Sequence, residues 1–231
     1  MDRLVLFDID GTLVQTGGAG GRAMKRAFAE LFGFDVVQHV PMAGRTDRWI
    51  INELASRHGL PTDPATARRI RDRYLSHLRD TVVEPGPSKG VLPGVRALLG
   101  DLSSRPGVHL ALLTGNMEAG ARIKLEHFEL WAFFEGGGFG DVHADRVALF
   151  QQALGSVHAC RGTRYQPEDA VVVGDTPLDV DVAVASGARS LGVATGGYDV
   201  QALREAGADV VLPDLENLEA VLDALGLADT R

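Results

Sequence analysis

The 231-residue sequence is 45% hydrophobic, 23% charged and 6% aromatic, with a mean hydropathy of +0.02, which excludes disordered, collagen-like and fibrous chains. Its 23 basic and 31 acidic residues leave a formal net charge of −8; an acidic surface repels a phosphate backbone, so no nucleic-acid partner is expected. The single cysteine, Cys160, permits no intrachain disulfide and fits a reducing cytoplasm, and without a leader or a run of roughly 18 apolar residues no membrane association is expected.

In chain order, residues 4–7 (Leu-Val-Leu-Phe) form the first short apolar run. Consecutive apolar positions predict a strand buried on both faces. It leads into Asp8-Ile9-Asp10-Gly11-Thr12, where two acids two residues apart on extended chain share a side. Gly11 lets the backbone turn closely around a ligand. A solvated acidic turn is the plainer reading.

From residue 13 to residue 107 no buried strand is predicted, only helical stripes: Met24, Ala27, Phe28, Leu31 and Phe32; Ile50, Ile51, Leu54 and Ala55; Ile70, Tyr74, Leu75 and Leu78. Glycine- and proline-rich stretches at 17–21 and 84–90 bracket the region as hinges. Between the stripes, Ala43-Gly44-Arg45-Thr46-Asp47 offers Arg45 as an anion-binding group. Equally, the stretch reads as a helix start at Thr46 or Asp47 with a solvated arginine.

The remaining strands are predicted at 108–113, 170–173, 190–193 and 209–212. Phe150, Ala153, Leu154 and Val157, and then Leu218, Val221, Leu222 and Leu225, give helices between and after them. Alternating strand and helix predicts an α/β fold: a Rossmann-like parallel sheet flanked by helices, with an inserted all-helical lobe. The lobe is placed at 16–90, and the core at 1–15 and 91–231.

The second strand ends in Thr114-Gly115-Asn116. The sequence suits an anion cradle of backbone N–H groups and a helix start, or an ordinary turn capped by Asn116. The third ends in Gly174-Asp175-Thr176-Pro177-Leu178-Asp179. Thr176 and Asp179 form a capping box with Pro177 at the first helical position, which leaves Asp175 unexplained. If the strand ends converge, Asp8, Asp10, Asp175 and Asp179 share a small space. Two like charges about 4 Å apart repel by about 4 kcal/mol at an effective dielectric of 20. Such crowding requires protons or a cation, and an all-oxygen ligand set selects Mg²⁺.

These three motifs, in this order and each after an apolar strand, resemble the haloacid dehalogenase superfamily, in its phosphoglycolate phosphatase and β-phosphoglucomutase branch with a small helical cap. The resemblance implies a Mg²⁺-dependent phosphatase for a small phosphorylated metabolite. Asp8 is then the nucleophile, and Asp10 the acid and base, its backbone carbonyl helping to hold Mg²⁺. Thr114, with Gly11, Gly115 and Asn116, binds the phosphoryl group; Asp175 ligates Mg²⁺ and Asp179 supports it. The superfamily's lysine between the second and third motifs is missing. Of the three lysines, Lys25, Lys89 and Lys124, none falls where that pattern, a lysine commonly followed by proline, belongs; the corresponding stretch is 140–146. Arg146 is the expected substitute, since a guanidinium can clamp phosphate bidentately. Lys124, expected on an exposed helix face, is the rival. A phosphomutase would keep the same residues, and a phospho-accepting receiver domain is a more remote alternative. A monomer or weak homodimer is expected. The histidines fall in no metal spacing, and the glycine run 136–140 lacks a dinucleotide-binding pattern.

Overall fold

The structure, a computed structural model, describes residues 2–33, 40–141 and 145–228. Its main sheet has six parallel strands: β1 (Arg3–Phe7), β4 (Val108–Thr114), β5 (Gly137–Phe139), β6 (Ala170–Gly174), β7 (Arg189–Val193) and β8 (Val210–Leu212). Their spatial order is β5-β4-β1-β6-β7-β8. The two-residue strands β2 (Val14–Gln15) and β3 (Gly90–Val91) pair antiparallel as a separate ribbon.

Consecutive apolar residues fill both faces of the sheet because side chains alternate along a strand. Val5 and Phe7 join Leu110, Leu112, Val171 and Val173 beneath α4 (Val95–Ser104), α5 (Glu118–His127) and α9 (Leu218–Ala224). Leu4 and Leu6 join Ala111, Leu113 and Val172 beneath α6 (Arg146–Arg161) and α7 (Pro177–Ser186). A further helix, α8 (Val200–Glu205), links β7 to β8. Each fully buried leucine or valine contributes about 1.5–3 kcal/mol, so the strands that carry the site are also the best anchored.

Helices α1 (Ala19–Phe32), α2 (Asp47–Arg57) and α3 (Pro64–Thr81) lie between β2 and β3 in sequence. They share a hydrophobic cluster of their own, built on Phe28, Leu54, Ile70, Tyr74 and Leu78. Met117, at the start of α5, also packs into it. Thus the lobe rests on the sheet beside the loop that follows β4.

Two features depart from the sequence reading. The β2–β3 ribbon, with Val14 opposite Val91, flanks the two hinges within the span 13–107, where only helical stripes were predicted. The sheet gains an edge strand, β5, from the glycine run. Strand propensity does not favour glycine, but close approach demands it here. A Cβ at Gly137 would lie 2.5 Å from the Leu112 carbonyl oxygen, and one at Gly138 would overlap the carbonyl of Leu149 on α6.

Candidate active site

Strands β4, β1 and β6 are neighbours, and their C-terminal ends deliver the three motifs to one place, where open α/β sheets bind ligands. The Asp8 N–H still donates to the Val173 carbonyl at 2.9 Å, extending β1 by one bond. The chain then turns at Gly11, whose φ of +88° favours glycine. A Cβ there would overlap the Asp175 carboxylate. Another at Gly196, in the loop after β7, would do the same. Two bare backbones therefore wall in that carboxylate.

Asp8, Asp175 and Asp179 are buried, and each offers an oxygen within 4.8 Å of the others. Burial, with the Asp179 charge, pushes the Asp8 carboxyl up to about 7, against the opposing pull of Arg146 and a hydrogen bond from Thr114. Burial and the charges of Asp8 and Asp179 push Asp175 up to about 8, although the Thr12 hydroxyl donates to it at 3.1 Å. Asp179 is better satisfied. It accepts from the Thr176 N–H and hydroxyl at 3.1 and 2.7 Å, the predicted capping box, and from Arg146 on its other oxygen.

A divalent cation fits this donor set. Three carboxylates crowd a place where two of them resist ionisation, and a cation there removes that resistance. The ligand atoms are all oxygen, as a hard ion prefers.

Asp10 does not enter that cluster. Its carboxylate turns to Lys124, which donates at 2.5 Å, and to the Asn116 amide, which donates at 2.8 Å. Lys124 also donates to the Asn116 carbonyl oxygen at 2.6 Å. Lys124 is 4% exposed, so its expected place on an exposed face is corrected. The helical period held the reason. Lys124 shares the buried face of α5 with Gly120, Ala121 and Leu125, and a lysine on an apolar stripe is held there only by a partner.

Arg146 opens α6 and donates to the Gly44 carbonyl at 2.7 Å and to Asp179. Its charge also draws the Asp8 carboxyl down. The two rival cations thus serve different carboxylates: Arg146 the Asp8 cluster, and Lys124 the acid at Asp10.

Thr114 is fully buried; its hydroxyl meets Asp8 and accepts from the Asn116 N–H and side-chain amide at 3.2 and 2.9 Å. Asn116 therefore does not cap a helix, as the turn reading supposed. Met117 occupies the cap position of α5, and carboxylates from elsewhere take the first N–H groups. Asp47 accepts from Met117 at 2.9 Å and Asp141 accepts from Glu118 at 2.7 Å. That end of α5 faces protein acids and not an open cradle. The Gly115 carbonyl accepts the Asp47 N–H at 2.7 Å, and a Cβ at Gly115 would overlap the Arg45 carbonyl.

Thr46 is the N-cap of α2, accepting from Trp49 at 3.2 Å. Asp47, treated in the sequence only as part of a helix start, is buried, and burial pushes its carboxyl up to about 6 against the pull of Lys124 and Met117. Arg45 is exposed, its guanidinium 4.8 Å from the Trp49 ring centroid. Of the histidines, His39 and His143 lie outside the described residues, and none of the described ones joins the acidic cluster.

A cavity of about 310 Å³ covers these groups. The strand ends supply Asp8, Asp10, Thr114 and Asp175, and the flanking helices α5 and α6 supply Lys124 and Arg146; the helical lobe closes it with Met24, Arg45, Ile50 and Tyr74. No helix among the described residues is long and apolar enough to cross a membrane.

Residues 5–183 match the family model of the haloacid dehalogenase-like hydrolases. The chain is 30% identical over 228 residues to the phosphoglycolate phosphatase of Rhodospirillum rubrum, covering 94% of this chain and 90% of that protein. It is 28% identical to the phosphoglycolate phosphatase of Agrobacterium fabrum, covering 95% and 91%. Among solved structures it resembles CbbY from Rhodobacter sphaeroides in complex with phosphate, with a TM-score of 0.75 and 22% identity over 96% of this chain and 100% of the other.

Proposed function

Because the chain belongs to the haloacid dehalogenase-like hydrolase family, we propose that it hydrolyses the phosphomonoester of a small metabolite, with the phosphoryl group carried transiently on Asp8. The observation that carries this reading is the division of the two acids after β1. Asp8 is buried among carboxylates and touched by Thr114, whereas Asp10, two residues on, is held by Lys124 and Asn116.

In this mechanism an ionised Asp8 oxygen attacks phosphorus. The bond to the leaving oxygen breaks, and that oxygen takes a proton from Asp10. Asp10 then withdraws a proton from water, whose oxygen attacks phosphorus as the bond to Asp8 breaks, and inorganic phosphate leaves. Thr114 orients Asp8 and the transferring group, while Gly11, Gly115 and Asn116 shape the turns around them. Arg146 meets charge growing on the phosphoryl oxygens, and Lys124 fixes Asp10 on the leaving-group side. Arg45, at the cavity wall, is placed to meet a second anionic group. Mg²⁺, held by Asp8, Asp175 and the Asp10 backbone carbonyl with Asp179 in support, would neutralise the acids and draw charge from the phosphoryl oxygens.

The relatives named phosphoglycolate phosphatase support a small phosphorylated acid as substrate. The net charge of −8 and a cavity of about 310 Å³ support a metabolite over nucleic acid or membrane. The single cysteine suits a cytoplasmic protein, which we take to act as a monomer or weak homodimer. Residues 16–90 act as the cap that selects the substrate, over a core of 1–15 and 91–231. A phosphomutase would use the same residues but return the phosphoryl group to its substrate.

Phosphate release from p-nitrophenyl phosphate, phosphoglycolate and sugar phosphates, with Mg²⁺ or EDTA, tests the reading. Release that needs Mg²⁺ and vanishes in Asp8→Asn is expected. Release that persists in that variant with the same metal dependence would contradict the assignment of Asp8.

A further inference from the structure

Tyr74 presents a polar group to the cavity, where the described residues supply it no hydrogen-bond partner. It lies on α3, its side chain is 2% exposed, and it lines the cavity. Among the described residues its hydroxyl makes no hydrogen bond. Burial and the charges of Asp47 and Asp10 push the phenol well above its usual range, so it remains a donor across the working pH range.

A second donor faces the same space. Lys124 gives protons to Asp10 and Asn116, and an ammonium has three to give. Gly20 on α1 borders that space. A Cβ there would stand 3.7 Å from the Tyr74 oxygen and 3.8 Å from Lys124 Nζ, at ordinary contact distance from both. Since Lys124 also holds Asp10, this space lies on the side where the substrate's alcohol departs.

We propose that Tyr74 is a specificity-determining residue whose hydroxyl, together with the remaining proton of Lys124, binds an oxygen on the substrate's leaving group, either a hydroxyl or a carboxylate close to the phosphate ester. This inference rests on the phosphatase reading above. It predicts that the enzyme ranks phosphate esters by the presence of that oxygen, because a site built around a hydrogen bond discriminates against the analogue lacking it.

The test compares ethyl phosphate with 2-hydroxyethyl phosphate and phosphoglycolate, in the wild type and Tyr74→Phe. The wild type is expected to prefer the two oxygen-bearing esters. The variant should lose about tenfold in kcat/KM on those two, chiefly through KM, and be unchanged on ethyl phosphate. Its melting temperature should not fall, since no protein bond is lost. An equal loss on all three esters, no loss on any, a wild type without preference, or a less stable variant would each overturn the inference. A wild type inactive on all three and on p-nitrophenyl phosphate would overturn the phosphatase reading itself, and the role of Tyr74 with it.

Discussion

At the scale of single residues, the site separates two jobs by giving two nearby aspartates different neighbours. Asp8 sits among Asp175, Asp179 and Thr114; Asp10 sits against Lys124 and Asn116. The two cations should therefore fail differently when removed. Lys124→Ala frees Asp10, the acid proposed to protonate the leaving oxygen. It should lower kcat about a hundredfold on an alkyl phosphate but far less on p-nitrophenyl phosphate, whose leaving group needs no proton. Arg146→Ala removes charge near the phosphoryl oxygens and should cost about a hundredfold on both substrates. Equal patterns in the two variants would contradict the division of labour. The Asp-x-Asp pair, Thr114, Asp175 and the capping box at Thr176 were legible in the sequence because each follows an apolar strand at a fixed offset. Lys124 was legible in principle, from its position on the Ala121–Leu125 face of α5. A lone lysine in a helix more commonly faces solvent, and only its contact with Asp10 shows otherwise.

At the scale of elements, the start of α5 is capped from outside its own chain neighbourhood. Asp47, at the first position of α2, accepts the Met117 N–H and donates its own N–H to Gly115. One residue of the helical lobe thus makes both bonds of a clasp onto the loop after β4. Burial raises the Asp47 carboxyl from 3.8 to about 6. The folded chain then holds that proton more tightly than the unfolded chain. The stability it contributes is full below about pH 4 and is lost as the pH climbs through about 6. Asp47→Asn keeps an oxygen to accept the Met117 N–H but cannot ionise. Relative to the wild type it should gain stability as the pH rises from 4 to 6, reaching up to about 3 kcal/mol above that range. Denaturation curves over pH 3–8 check this, and parallel curves for the two proteins would contradict it. The clasp was not legible in the sequence, because Thr46-Asp47 signals a helix start without saying what lies opposite. Strand β5 escaped for a related reason. Its glycines are set by the nearness of Leu112 and Leu149, which are adjacent to it only in the fold.

At the scale of the whole molecule, the sheet and the helical lobe meet over one cavity. The sheet and its flanking helices supply the aspartates, Lys124 and Arg146, and the lobe supplies Met24, Arg45, Ile50 and Tyr74. The sheet's strands were readable because buried parallel strands announce themselves as apolar runs, and five of its six strands do so. The lobe's contribution was not readable. Tyr74 lies on a helical stripe with Ile70 and Leu78 and reads as core, and only the cavity shows its hydroxyl turned toward the acids. The proposed chemistry turns on Asp8 carrying the phosphoryl group. Acid quenching of the enzyme during turnover of its best substrate, followed by mass analysis of its peptides, tests this directly. A peptide containing Asp8 should be heavier by one phosphoryl group, and the gain should be absent in Asp8→Asn. Phosphate found on another residue, or turnover with no phosphorylated enzyme at any quench time, would contradict the account.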